Sequence, residues 1–307
     1  MMLCSTLGSC FLSEGYSNLS TSKILYSYGT VFTPKNTTFG VIVYHETMGY
    51  RYTSDSEKQT IVNRLKQIGN RIVLYTQPEG WISWDLKTDV LRFTQLAKAQ
   101  RMRVVWALRD EGLPDTHWID YRNWTFTIAQ DAQAAGVDEL WVGVEMGFRL
   151  DSWAQAQLVN NTLQLIVDTK QYFSGVVTTE CSWWEEMDAW GRAVNDTRFP
   201  SKLFFSMYDP YDVFTSRIDL GLSYFGSKFR IGEWGTNMDL AGQEKITFGQ
   251  GFQARMNYII SKNITEAYTF DYKELDNDPS QQTFGLWTLS TDQPKPSWNM
   301  LLQYSST

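Results

Sequence analysis

The chain has 307 residues, 43% hydrophobic and 20% charged, which is enough to bury a substantial core in one large α/β barrel or two small domains and excludes a disordered chain. Its formal net charge of −7 argues against nucleic acid, whose binders need a basic face, and suits a neutral ligand better than a polyanion. Three cysteines (Cys4, Cys10, Cys181) and two histidines (His45, His117) are too few for a disulfide framework or a zinc site of the usual spacing, so no cofactor or metal is expected.

In chain order, the first strand runs Phe39–Tyr44 and is followed by a helix over Ser54–Ile68, which opens on Ser-Asp-Ser-Glu and sets Ile61, Leu65 and Ile68 at helical spacing. A strand at Arg71–Thr76 precedes a helix at Asp85–Arg101, with Leu86, Val90, Phe93 and Leu96 in the same rhythm. Strands at Arg103–Leu108 and Glu139–Val144 come next, then a long helix over Ser152–Tyr172. The remaining strands are Gly175–Thr179, Lys202–Met207, Phe229–Gly232 and Glu266–Phe270. Helices fit Trp183–Val194, Tyr211–Phe225, Thr247–Lys262 and Ser297–Tyr304. Each strand is a near-continuous apolar run with β-branched or aromatic residues, as parallel strands buried on both faces require.

Eight strands at intervals of 27 to 37 residues, alternating with helices, specify repeated βαβ units. Eight units close into a (β/α)8 TIM barrel, for which ~250 residues is usual. A doubly wound open sheet fits less well, because no glycine-rich phosphate loop follows the first strand, where Tyr44-His45-Glu46-Thr47 stands. Residues 1–38 read as a short N-terminal extension packed on a single catalytic barrel of residues 39–307.

Barrel active sites sit at the C-terminal ends of the strands. Those ends carry Glu46, Glu79, Arg109, Asp110, Glu111, Glu145, Glu180, Tyr208, Asp209, Glu233 and Asp271. A site of carboxylates and aromatics suits glycoside hydrolysis, which needs one carboxylic acid to protonate the leaving oxygen and one carboxylate as nucleophile or base. With 13 Trp, 16 Tyr and 17 Phe, the chain is also rich in rings able to stack on sugars. Trp81, Trp184, Trp234, Trp106 and Tyr272 lie near strand ends, and Trp81 and Trp184 are the better placed.

Four short motifs carry a family resemblance. Trp141-Val142-Gly143-Val144-Glu145-Met146 resembles the fourth-strand acid/base motif of the clan A retaining glycoside hydrolases, and Arg230-Ile231-Gly232-Glu233-Trp234-Gly235 is similar to that clan's seventh-strand nucleophile motif. Ser206-Met207-Tyr208 matches the place where the clan often sets a tyrosine beside the nucleophile; Phe284-Gly285-Leu286-Trp287 with Pro294-Lys295-Pro296-Ser297-Trp298 resembles its closing segment. The resemblance implies hydrolysis of β-linked oligo- or polysaccharides by a retaining mechanism, with Glu145 as acid/base, Glu233 as nucleophile and Tyr208 donating to it. Glu46, Trp81, Arg109, Glu180, Trp184, Trp234 and Asp271 are the expected substrate contacts, with Glu180 in reserve for Glu145. Two departures stand out: Val144 replaces the Asn that normally binds the sugar 2-hydroxyl, and Ser206 replaces a frequent His. The first predicts slower turnover or a substitute donor.

The alternatives are a catalytically inactive carbohydrate-binding or structural protein on this scaffold, and a barrel lyase or transglycosylase. Six of the 13 asparagines (Asn18, Asn36, Asn123, Asn160, Asn195, Asn263) stand in N-x-Ser/Thr sequons, which points to a secreted or cell-surface glycoprotein. No stretch approaches the ~18 apolar residues of a membrane span.

Overall fold

Among the described residues, runs of β-branched and aromatic residues form nine parallel strands: β1 (Thr38–Val43), β2 (Arg71–Thr76), β3 (Arg103–Arg109), β4 (Glu139–Val144), β5 (Val176–Thr178), β6 (Glu180–Cys181), β7 (Leu203–Met207), β8 (Phe229–Trp234) and β9 (Glu266–Thr269). The computed structural model describes residues 36–43, 54–77, 86–109, 118–146, 155–182, 184–235, 244–272, 285–288 and 292–306. The expected extension lies outside these except for its last three residues, and β1 already begins at Thr38.

Neighbours in the sheet follow the order β5-β4-β3-β2-β1-β9-β8-β7-β6. Its two ends, β5 and β6, are consecutive pieces of one run broken at Thr179, so the sheet returns on itself. Thr179 joins both sides of the break. Its carbonyl accepts from the Phe204 N–H at 3.2 Å, and its hydroxyl donates to the Gly143 carbonyl at 3.1 Å. The expected fifth strand is therefore split in two, and the eight strand positions of a (β/α)8 barrel are all present.

The helices are α1 (Asp55–Ile68), α2 (Leu86–Ala99), α3 (Trp118–Ala135), α4 (Gln155–Thr169), α5 (Trp184–Arg192), α6 (Tyr211–Phe225), α7 (Glu244–Ser261) and α8 (Pro296–Ser306). α1 starts with a capping box: Glu57 N–H donates to Ser54 Oγ at 3.3 Å and Ser54 N–H donates to Glu57 Oε2 at 2.7 Å, which satisfies two otherwise orphan donors. Among the described helices, α3 is the one that the sequence pattern did not delimit. It buries Tyr121, Thr125, Ile128, Ala129 and Ala132, a stripe too polar and too small to stand out as an apolar face. None of the described helices is long and apolar enough to cross a membrane. The described sequon asparagines, Asn36, Asn123, Asn160, Asn195 and Asn263, are all exposed.

The barrel wall separates two cores. Outside it, side chains such as Val41, Leu74, Trp106 and Val142 pack against the helices. Inside, Ile42, Val73, Tyr75, Val105, Ala107, Trp141, Val144, Phe204, Tyr268 and Phe270 fill the lumen. Trp141 lies against Phe204 and Tyr268, with ring centroids 4.3 and 5.3 Å away. This alternation of faces along each strand decides which residues can reach the mouth.

Candidate active site

β4 and β8 both carry a bulge just before their glutamates. Along β3 and β4, Ala107 pairs with Trp141 but Arg109 pairs with Val144, so β4 holds one extra residue. Gly143 sits in that bulge at φ +66°, a left-handed conformation that glycine adopts without strain. Its N–H donates to the Tyr121 hydroxyl at 2.7 Å, and its carbonyl is the acceptor for Thr179. β8 shows the same count: Phe205 pairs with Ile231, but Ser206 pairs with Glu233. The extra residue is Gly232, where a Cβ would fall 2.0 Å from Glu180 Oε1. Bulges of this kind re-aim side chains, and here they precede both candidate catalytic groups.

Three carboxylates meet at the C-terminal mouth: Glu145 just beyond β4, Glu180 opening β6 and Glu233 on β8, all buried. Glu145, at φ 54°, is tied to the neighbouring strand by its N–H, which donates to the Glu180 carbonyl at 2.9 Å. Its side chain pairs with Arg109, Nη2 to Oε2 3.0 Å. The Ser206 hydroxyl lies between Glu145 Oε1 at 3.3 Å and Glu180 Oε1 at 3.2 Å. The Tyr75 hydroxyl lies 2.8 Å from Glu180 Oε2 and also hydrogen-bonds Glu233 Oε1, while Tyr208 donates to Glu233 Oε2.

Burial and then the Glu145 charge push Glu233 up to about 7, against the opposing pull of Arg109, Tyr208 and Tyr75. Burial, then Glu233 and Glu145, holds Glu180 well above the usual carboxylate range. Tyr75 and Tyr208 are also raised, chiefly by burial, so both remain neutral donors across the working pH range. Chemically, such a cluster can hold one carboxyl protonated beside an ionised one, the pairing that acid-and-nucleophile chemistry needs.

The expected residues divide into three groups. Glu145, Glu180, Glu233, Arg109 and Tyr208 come together in the cluster, where Arg109 pairs with Glu145. Trp234 does not reach the mouth, which corrects its expected stacking role. Following Glu233 on the strand, it points to the opposite face, fully buried against Phe252 and Phe39 at 4.6 and 6.0 Å between centroids. Trp106 is likewise in the outer core, its Nε1 donating to Thr94 Oγ1 at 2.9 Å, and Tyr272 is buried beside Arg64. Asp271, joined to Phe270 by a cis peptide, is fully buried and accepts from the Tyr272 N–H; Asp209 forms an ion pair with Arg217. Trp184 opens α5, and its side chain lies outside the described residues, as do Glu46, Glu79, Trp81, Asp110 and Glu111. Tyr75 was missed altogether. Its signal is a hydroxyl-bearing ring two residues beyond Val73 on the lumen face of a strand.

No protein-family model matches the sequence, and no curated protein matches it either. Solved structures match by shape. An exo-β-1,4-mannosidase, Op5Man5 from Opitutaceae bacterium strain TAV5, superposes with a TM-score of 0.68 at 9% identity over 87% of this chain, which spans 59% of that protein's length. The GH113 β-mannanase AaManA from Alicyclobacillus acidocaldarius gives 0.60 at 14% identity, covering 88% of this chain and 96% of that one. The catalytic domain of Thermobifida fusca endoglucanase Cel5A gives 0.61 at 12% identity, covering 88% and 92%. The chain shares the barrel fold of these glycoside hydrolases. At such identities the likeness concerns the fold, and function has to be argued from the site.

Proposed function

We propose that this protein is a retaining glycoside hydrolase acting on β-linked glycans, with β-1,4-mannans and β-1,4-glucans the first substrates to try. The observation that carries this reading is the convergence of Glu145 and Glu233, from strands across the barrel, into one buried hydrogen-bonded cluster at the mouth. Glu233, oriented by Tyr75 and Tyr208, attacks the anomeric carbon while Glu145 gives its proton to the departing glycosidic oxygen. Glu145 then takes a proton from water, and the resulting hydroxide displaces Glu233 and releases the sugar. Protonation of Glu145 removes one of the two causes that keep Glu233 high, so an acid at the first position favours an ionised nucleophile at the second.

Reducing-sugar release from mannan and β-glucan by the wild type, Glu145→Gln and Glu233→Gln tests this. Both variants should fall by about 10²–10⁴-fold in kcat at unchanged fold. A wild type that binds these glycans without cleaving them would favour the second reading, an inactive carbohydrate-binding barrel. The observation on that side is Val144, buried in the lumen core where the resemblance calls for an asparagine.

A further inference from the structure

The third carboxylate has no role in a two-glutamate mechanism, yet it lies between the other two. Among the described residues, five oxygen–oxygen contacts join the cluster: Tyr75 with Glu180 and Glu233, Tyr208 with Glu233, and Ser206 with Glu145 and Glu180. Each contact needs one proton, and the three hydroxyls supply three. The other two must come from carboxyl groups, or oxygens would face each other bare in a buried site.

The surroundings decide where those protons reside. Glu233 has two phenol donors, one on each oxygen, which favours its charged form. Glu145 has the Arg109 guanidinium at 3.0 Å. Glu180 is 1% exposed, its Oε1 packs against the backbone of Gly232, and the hydroxyls of Tyr75 and Ser206 are shared with the flanking carboxylates.

We propose that Glu180 is a permanently neutral carboxylic acid whose Oε2 proton is donated to Tyr75, so that the proton of Tyr75 goes to Glu233. It is a positioning residue for the nucleophile, and this role rests on the hydrolase reading above. Ser206 then donates to Glu180 Oε1, and the fifth contact is filled when Glu145 carries its own proton. Two protonated carboxyls, two hydroxyls and one carboxylate thus form one directed chain: Glu145, Ser206, Glu180, Tyr75, Glu233. Burial and the charges of Glu233 and Glu145 push Glu180 in the same direction. The groups facing it are Glu145 from β4, Glu233 from β8, Tyr75 from β2, Arg109 from β3 and Ser206 and Tyr208 from the β7 end.

Glu180→Gln separates a neutral acid from an ionised one, because an amide offers the same donor and acceptor without the charge. Infrared difference spectra of the free protein at pH 7, wild type minus Glu180→Gln, should show a protonated-carboxyl C=O stretch belonging to Glu180. Its absence would overturn the proposal whether or not the protein hydrolyses anything. In mannan or β-glucan hydrolysis, Glu180→Gln should recover most of the kcat that Glu180→Ala loses and leave the acidic limb of the pH profile in place. A real charge removed from beside Glu233 would instead lower that limb by about one pH unit or more. Glu180→Ala, which strips Tyr75 of its donor, should cost roughly tenfold in kcat with little change in KM. Inactivity of Glu180→Gln as deep as that of Glu233→Gln would also overturn the proposal, whereas a wild type that is inactive while the infrared band is present would count only against the hydrolase reading.

Discussion

The lumen of this barrel holds buried carboxylates at both ends, and β4 carries one of each kind, Glu139 at its first residue and Glu145 just past its last. At the N-terminal end, Glu139 and Glu266 meet Lys202 at 2.6 and 2.9 Å, with Arg71 2.5 Å and Arg230 3.6 Å from Glu266 and Arg103 3.9 Å from Glu139. At the C-terminal end, three carboxylates have one described cation, Arg109, against them. Burial works to raise both plug carboxylates; Lys202 and Arg71 outweigh it at Glu266 and hold it below its ordinary value, whereas burial keeps Glu139 above its own despite Lys202. Burial also raises Glu233, against Arg109, Tyr208 and Tyr75. One end is a compensated plug that closes the barrel. The other sets three carboxylates against one described cation, so protons have to make up the balance there, in keeping with the chemistry proposed for it.

Removing a cation from the plug should have the largest effect. Lys202→Met leaves Glu139 and Glu266 buried with weaker partners and should destabilise by about 3–5 kcal/mol, read by chemical denaturation at pH 7. A cost near zero would mean that the two ends do not differ in the way described. Neutralising a carboxylate at the mouth should do the reverse. Glu233 rises from 4.5 to about 7 on folding, so the folded chain holds that proton more tightly than the unfolded one, and stability falls as pH rises between those values. Glu233→Gln should therefore be more stable than the wild type at pH 8, by up to about 3 kcal/mol, and the advantage should shrink toward pH 5. Melting curves at the two pH values check it, and a variant less stable at pH 8 would refute it. The smallest effect tests the seat of Glu180. Gly232→Ala places a methyl where Glu180 Oε1 now lies and should cost about 1–3 kcal/mol in denaturant melts, with loss of the Glu180 infrared band.

Much of this was legible in the chain itself. The strand runs were readable because a parallel strand buried on both faces is apolar almost throughout, and α1 because its capping box is a local motif. α3 was not, since Thr125, Ala129 and Ala132 carry too little hydrophobic contrast to mark a core face. Of the candidate site, Glu145, Glu180, Glu233, Arg109 and Tyr208 follow from their place at strand ends, which is a property of order along the chain.

What only the tertiary structure decided is which of these residues meet. The glycines at 143 and 232 each add one residue to a strand, and a shift of one exchanges the lumen face for the helix face. That places Val144 and Glu233 inward and sends Trp234 into the outer core. Tyr75 joins the site only because barrel closure brings β2 within reach of residues 105 and 158 positions further along. Strand identity is written in local periodicity, but pairing register, facing and proton sharing depend on contacts between distant segments, and no local pattern encodes them.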